Sequence, residues 1–220
     1  MHNSVLILGR SGTGKTASMR NLNEKTTFFI NVLDKSLPFR GGSKKYKAIK
    51  SWDDKEGNYF ASKDWQKILK CIQVVVRRED IKTLIIDDLT YIMTTEYINR
   101  ANEESFKKYV EIAAHITAIV DAGQTNRPDL VTFFIAHSEI DNAGVSVIQT
   151  IGKLLNNKLV LEGKFTITFH SMVVDGEYKF LTQHDGYHLA RSPIDMFSEN
   201  YIDNDLVAIQ DAIIKYNEGE

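Results

Sequence analysis

Short apolar runs alternate with longer amphipathic segments along the N-terminal part of the chain. Between the last two runs, apolar residues recur every three or four positions over residues 106–120, which predicts an amphipathic helix, and residues 64–78 show a similar spacing. Strands that alternate with helices predict an α/β fold, with a mostly parallel sheet and right-handed crossovers. The runs that predict buried strands, each bounded by polar residues or glycine, are residues 4–8, 27–32, 83–86 and 130–136.

The C-terminal part has a different pattern. Two β-rich runs flank the dipeptide Asp175-Gly176, which favours a tight turn and predicts an antiparallel β-hairpin added to the parallel sheet. Residues 205–216 predict a closing helix. The chain has three prolines and no linker-like stretch, so we expect one domain over residues 1–220 that includes the hairpin and closing helix of residues 164–220.

Composition limits the classes of partner. Of the 220 residues 43% are hydrophobic, enough for one sizeable core. The 27 lysines and arginines nearly balance the 29 aspartates and glutamates, so a site for a polyanion must be a local patch. A single cysteine, Cys71, excludes an internal disulfide and is typical of a reducing compartment. Without a long apolar run, we expect a soluble cytoplasmic protein with no membrane partner.

A glycine-rich loop, GRSGTGKT, follows the first predicted strand and precedes a predicted helix. It matches the phosphate-binding pattern G-x-x-x-x-G-K-[ST] in the context that this pattern requires. Glycines let backbone N–H groups point at phosphate oxygens, helped by the positive end of the following helix. Lys15 would reach the β- and γ-phosphates, and the Thr16 hydroxyl would bind Mg²⁺. The expected nucleotide-binding residues are Gly9, Arg10, Ser11, Gly12, Thr13, Gly14, Lys15, Thr16 and Ala17.

Polar residues end two further predicted strands. In TLIIDDL, Asp87 is the carboxylate that we expect on the metal ion. Asp88 could deprotonate an attacking water, or could cap the helix that begins near Thr90. In LVTFFIAHS, His137 could sense the γ-phosphate, or could be a histidine satisfied by backbone groups. Together with Lys15, Asp88 and His137 are the candidate catalytic residues.

Several segments resemble the RecA-like NTPases and, among them, the small phage single-strand annealing proteins of the Sak type, often described simply as phage ATP-binding or AAA-domain proteins. The nucleotide motifs are shared by many families, whereas IGKLL and SPIDMF are far narrower. The segments that carry the resemblance span nearly the whole chain: GRSGTGKT, FFINVLDKSLPFRGG, LIIDDLTYIM, FFIAHSE, TIGKLLNNKLVLEGKFTI, LARSPIDMF and DNDL.

This resemblance implies a RecA-like core and a role in phage DNA recombination in the host cytoplasm. It implies binding of ATP with Mg²⁺ and of single-stranded DNA, annealing of complementary strands, a single-strand-binding protein as partner, and a homo-oligomer. The RecA-type recombinases place a catalytic glutamate just after the second strand, where this chain offers only Asp34. We therefore expect an ATPase that is weak, stimulated by DNA or dependent on Asp88.

Two regions are candidates for DNA contact. The stretch KSLPFRGGSKKYKAIK carries six cations and no acid, and it interleaves Phe39 and Tyr46, a mixture typical of single-strand binding. A solvated basic loop is the alternative. Residues 139–152 follow the His137 strand, where the resemblance implies a DNA-contacting loop. The basic residues expected at DNA are Arg40, Lys44, Lys45, Lys47, Lys153 and Lys158.

Other features leave alternatives open. Arg191 in LARSPIDMF could act as an arginine finger on a neighbouring subunit's nucleotide, or could be an ion-paired or solvated arginine. The glycine in HDGYH disfavours the helix on which His184 and His188 would share a metal ion. Two other functions remain: a nucleotide-switched accessory of DNA replication or packaging, similar to a helicase loader, and a P-loop kinase of small molecules, although the chain lacks an arginine-rich lid.

Overall fold

The computed structural model describes residues 3–151 and 160–219. Its α-helices are α1 Gly42–Lys45, α2 Trp65–Val75, α3 Thr90–Asn99, α4 Lys107–Gly123 and α5 Leu206–Glu218, with 3₁₀ helices at Thr16–Asn21 and Leu161–Lys164. Its strands are β1 Ser4–Leu8, β2 Thr27–Asn31, β3 Tyr59–Ala61, β4 Thr83–Asp87, β5 Val131–Ile135, β6 Ser138–Ile140, β7 Ser146–Ile148, β8 Ile167–Val174, β9 Glu177–Leu181 and β10 Tyr201–Asp203.

Eight strands form one sheet in the order β10-β9-β8-β1-β5-β4-β2-β3. All pairs from β8 to β3 are parallel, and β9 and β10 add antiparallel at one edge. The β8–β9 turn contains Asp175 and Gly176 at φ 52° and 84°, as a tight hairpin turn requires. The expected α/β fold is confirmed: a mostly parallel sheet is flanked by helices, and an antiparallel hairpin is added near the C-terminus.

Both faces of the sheet are buried, which explains why its central strands have continuous apolar runs. Successive side chains point to opposite faces, so that Leu6 and Ile86 pack beneath α2, α3 and α4, whereas Val5 and Ile85 pack with α5 and the first 3₁₀ helix. Because β1 lies between β5 and β8, the loop after β1 opens at the centre of the carboxyl edge of the sheet.

Several observed elements differ from the predicted ones. The helix expected after the glycine-rich loop is a 3₁₀ helix of six residues, too short for a substantial macrodipole. The three-residue strands β3, β6, β7 and β10 have no counterpart in the predictions. The predicted loop of residues 139–152 overlaps the β6–β7 hairpin, and its last residue lies outside the described residues. No helix in the described part of the chain has the length and apolarity needed to cross a membrane.

Candidate nucleotide-binding site

The glycine-rich loop is shaped by the β8–β9 hairpin beside it. Gly14 has φ 91°, and a Cβ atom there would lie 2.8 Å from the Tyr178 ring. A Cβ on Gly9 would lie 2.7 Å from the Ser171 carbonyl oxygen, and the Ser171 hydroxyl donates to the Thr13 carbonyl at 2.6 Å. The hairpin therefore forms one wall of the loop, and glycine is needed where the two approach most closely. Arg10, Ser11 and Gly12 are exposed at the tip of the loop, and Ala17 is half-buried at its end.

Lys15 is held by its own loop. Its buried ammonium donates to the carbonyl oxygens of Gly9 and Arg10, both at 2.7 Å. Burial lowers the pKa of Lys15 to about 8, although the charges of Asp87 and Asp88 oppose that shift. A phosphate would therefore take over an ammonium group that already lies inside the loop.

Thr16 and Asp87 join the loop to the end of β4. The Thr16 hydroxyl donates to Asp87 Oδ2 at 2.7 Å. Burial, and then the neighbouring Asp88 charge, raise the pKa of Asp87 to about 6. A cation nearby would therefore stabilise the charged form of this carboxylate. A carboxylate and a hydroxyl are oxygen ligands suited to Mg²⁺, which keeps several waters and takes few protein ligands. The residues present therefore fit a magnesium–phosphate group.

Asp88 sits in a strained conformation beside Asp87. Its φ is 63°, and its N–H donates to Asp87 Oδ1 at 2.9 Å. One carboxylate oxygen contacts His137 Nε2 at 3.3 Å, and the other lies 3.0 Å from Lys35 Nζ. Burial by itself would raise the pKa of Asp88, but these two partners outweigh it and hold the pKa below its ordinary value. The capping alternative does not match this geometry, because α3 begins without a side-chain cap.

His137 lies two residues beyond β5 and links Asp88 to the β6–β7 hairpin. Its N–H donates to the Thr90 hydroxyl at 3.2 Å, and its ring meets Tyr91 edge-on with centroids 5.6 Å apart. Its carbonyl oxygen accepts from Gln149 N–H at 2.8 Å, directly after β7. The imidazole is thus oriented toward Asp88 at the same sheet edge as the loop.

Asp87, Asp88 and His137 form a cluster at the edge of the sheet, and Lys35 belongs to it. The sequence placed Lys35 only in a basic stretch. It follows β2, where Asn31 Nδ2 donates to the Lys35 carbonyl at 2.8 Å, and its ammonium lies 5.2 Å from the centroid of the Tyr91 ring. Asp34, the acid nearest the glutamate position of the recombinases, instead accepts from the Tyr59 hydroxyl at 2.6 Å. The sequence signal that could have identified Lys35 is its position: it is a cation shortly after β2, at the sheet edge where the glycine-rich loop also lies.

The basic residues of the stretch KSLPFRGGSKKYKAIK differ in their exposure and contacts. Arg40, Lys44 and Lys47 are exposed, whereas Lys45 donates to the carbonyl oxygens of Arg20 and Leu22 at the end of the first 3₁₀ helix. The two aromatics of the stretch are not available for base stacking in this structure. Tyr46 is buried against Phe29 with centroids 5.4 Å apart, and Phe39 packs on the same core, because this segment crosses the apolar face of the sheet.

The remaining predicted positions lie away from the cluster or outside the described residues. Lys153 and Lys158 fall in residues 152–159, which the structure does not describe. The Arg191 guanidinium donates to the Glu162 carbonyl oxygen, and the Arg191 backbone pairs with Thr168. His188 Nδ1 contacts Asp185 at 2.8 Å, and no group of three or more potential His, Cys, Asp or Glu metal ligands occurs among the described residues.

Comparisons with known proteins place the chain by fold alone. No protein-family model matches it, and no curated protein does. Similar solved structures include a KaiC-like protein from the archaeon Pyrococcus horikoshii OT3, with 17% identity, coverage of 81% of this chain and 76% of that one, and a TM-score of 0.47. Another is an ATPase from the type III secretion system of pathogenic bacteria, with 9% identity, coverage of 79% of this chain and a TM-score of 0.44.

The chain spans 51% of the secretion ATPase. Because both identities are low, neither similarity transfers a substrate or a residue role. The assignment rests instead on this chain's own sheet order and on the loop, acid and histidine gathered at one edge. On that basis, the chain has an α/β fold with a phosphate-binding-type loop at the carboxyl edge of its mostly parallel sheet.

Proposed function

We propose that this chain binds ATP with Mg²⁺ in the P-loop and acts in phage DNA recombination, where it binds single-stranded DNA and promotes strand annealing. The observation that carries nucleotide binding is the 2.7 Å contact between the Thr16 hydroxyl and Asp87, which brings a loop hydroxyl and a buried carboxylate to one point. The same two groups would hold Mg²⁺ beside the phosphates, where the ion neutralises developing charge.

Each residue of the cluster has a separate task in this proposal. Lys15 transfers its hydrogen bonds from the carbonyl oxygens of Gly9 and Arg10 to the phosphates. Asp88 holds and accepts a proton from an attacking water, and His137 orients that carboxylate. Hydrolysis is slow, because an acid with a lowered pKa is a weak general base and Asp34 is bonded to Tyr59.

The DNA part of the proposal is supported by the narrow segments IGKLL and SPIDMF and by exposed cations. Arg40, Lys44 and Lys47 lie exposed in a stretch that contains no acid after Asp34 up to Lys50. Cations of this kind bind a phosphate backbone without reading its sequence. The proposal includes a homo-oligomer and a single-strand-binding protein as partner.

The DNA role is tested by annealing of two complementary oligonucleotides at low salt, where phosphate contacts are strongest. We expect annealing by the wild type and a loss of roughly tenfold or more in the triple variant Arg40→Ala, Lys44→Ala, Lys47→Ala, since each lost phosphate contact weakens binding. The matched control replaces Lys63, Lys67 and Lys70, three exposed cations on or beside α2. If the wild type neither binds nor anneals DNA, the recombination role is excluded, while nucleotide binding is judged separately by ATP titration.

A second candidate, a P-loop kinase, is favoured by one observation. A cavity of about 380 Å³ lies next to Lys35, bordered by Asn31, Asp34 and Tyr59. The cavity opens beside Lys35, the ion-pair partner of Asp88, where the hydroxyl group of an acceptor could face the terminal phosphate. Transfer of phosphate from ATP to a small-molecule acceptor, without any requirement for DNA, would establish this function in place of recombination.

A further inference from the structure

Lys35 contacts Asp88 but belongs neither to the glycine-rich loop nor to the acidic end of β4. We propose that Lys35 reads the terminal phosphate: its ammonium leaves Asp88 for the γ-phosphate of a bound nucleoside triphosphate, and so makes the site prefer triphosphates over diphosphates. This inference rests on the proposed nucleotide binding and assigns one residue of this chain to nucleotide discrimination.

A continuous path of contacts leads from the P-loop to Lys35. The Thr16 hydroxyl donates to Asp87 at 2.7 Å, the Asp88 N–H donates to the same Asp87 carboxylate at 2.9 Å, and Lys35 Nζ lies 3.0 Å from Asp88. The charge of Lys35 also acts on Lys15. The two lysines therefore flank the place where the last phosphate of a nucleotide in the loop would end.

In the ion pair of Lys35 and Asp88, the lysine side chain has room to move, whereas the aspartate side chain is held in place. The Lys35 side chain is 56% exposed, whereas the Asp88 side chain is 8% exposed. The Asp88 backbone is tied to Asp87, and the Lys35 backbone is tied to Asn31 through both its N–H and its carbonyl oxygen. A lysine has a flexible four-carbon stem, so its head group can turn from one anion to the next without movement of the strand.

The charges explain why a terminal phosphate would attract this ammonium. Before binding, Lys15 and Lys35 balance Asp87 and Asp88. With Mg²⁺ beside Asp87 and Lys15 on the phosphates, the γ-phosphate would bring negative charge toward Lys35, and a charge-assisted contact there is shorter and stronger than a neutral one. A diphosphate ends one phosphate earlier and would leave Lys35 on Asp88.

The test is the ratio of ATP to ADP affinity, measured with Mg²⁺ by calorimetric titration of the full chain. We expect Lys35→Met to weaken ATP binding about tenfold, the size of one charge-assisted hydrogen bond, and to leave ADP binding unchanged. Lys35→Arg keeps most of the preference because it keeps the charge. Asp88→Asn removes the competing carboxylate and raises the ratio.

Lys25→Met is the matched control, since Lys25 is an exposed lysine just before β2. A misfolded fraction would lower the number of sites for both nucleotides without changing the ratio. If Lys35→Met lowers the affinities for ATP and ADP equally, or changes neither affinity, Lys35 is only a structural partner of Asp88. The inference is then overturned, while nucleotide binding stands. If the wild type binds neither nucleotide, the proposed function and this inference both fail.

Discussion

The two sides of the P-loop are built by different physical means. On one, which we term the acid side, Asp87, Asp88, Lys35 and His137 meet through two hydrogen bonds and one ion pair, each of 3.3 Å or less. On the other, the hairpin side formed by β8 and β9, the loop is shaped by close packing and by one hydroxyl hydrogen bond from Ser171. The acid side can respond to a ligand's charge, whereas the hairpin side sets the shape that the ligand meets.

The largest expected effect tests whether the charge that the loop places next to the acid side carries nucleotide binding. Lys15→Ala removes an ammonium that already lies inside the loop, and we expect ATP affinity to fall by roughly a hundredfold, about 3 kcal/mol, the upper range for a hydrogen bond to a charged group. Titration with a fluorescent ATP analogue and Mg²⁺ measures it. Lys25→Ala, at an exposed lysine, serves as control. Unchanged affinity in Lys15→Ala would contradict phosphate binding by this loop.

A smaller effect tests whether the hairpin side excludes charge. His170 on β8 is buried and its Nδ1 lacks a partner in the described structure; Ser146, His188 and Asp185 lie around it, and Lys15 also acts on it. Burial, and then the charge of His188, lower its pKa from 6.5 to about 4. Below pH 6.5 the unfolded chain therefore takes up a proton that the folded chain refuses, so stability falls as pH falls toward 4.

The loss from this histidine is at most about 3 kcal/mol, at 1.4 kcal/mol per pKa unit. Urea unfolding at pH 7, 5.5 and 4 measures it. We expect His170→Gln to flatten the pH dependence over this range, while His184→Gln, at an exposed histidine, leaves it unchanged. A wild type and His170→Gln with parallel pH profiles would show that His170 titrates normally in the fold.

The smallest effect is a difference between two glycine variants, and it separates steric contact from backbone strain in the loop. Gly12 and Gly14 have similar positive φ values, but a Cβ on Gly12 would meet nothing within 4 Å, whereas one on Gly14 would meet the Tyr178 ring. We expect Gly12→Ala to lower the free energy of unfolding by about 1 kcal/mol through strain alone. Gly14→Ala should cost about 2 kcal/mol more, since overpacking adds to strain.

Denaturant unfolding of both variants measures this difference, and Tyr178→Ala is the third arm. In the Gly14→Ala background it should recover most of the additional loss, because it removes the ring that the new methyl group meets. Equal costs for the two glycine variants would show that the hairpin yields, and that the second wall of the loop is not rigid.

Much of the fold followed from periodicity. The cores of β1, β2, β4 and β5, the helix α4 and the hairpin at Asp175-Gly176 were predictable because buried strands and amphipathic helices leave long regular patterns. Strands of three residues leave none, since they form only where a neighbouring strand offers backbone partners. Burial of the aromatics in the basic stretch could not be predicted for a related reason: burial of Tyr46 depends on which face of the sheet its segment crosses.

The sequence by itself determined the phosphate loop, the acidic strand end and the alternation of strands and helices, because each is encoded within a few adjacent residues. Only the tertiary structure decided that Lys35, rather than Asp34, turns toward Asp88, and that Tyr178 closes on Gly14. Those contacts join residues far apart in the chain, and they depend on which strands lie next to one another. Local chemistry could be read from the sequence, whereas the partners of each charge depended on sheet order.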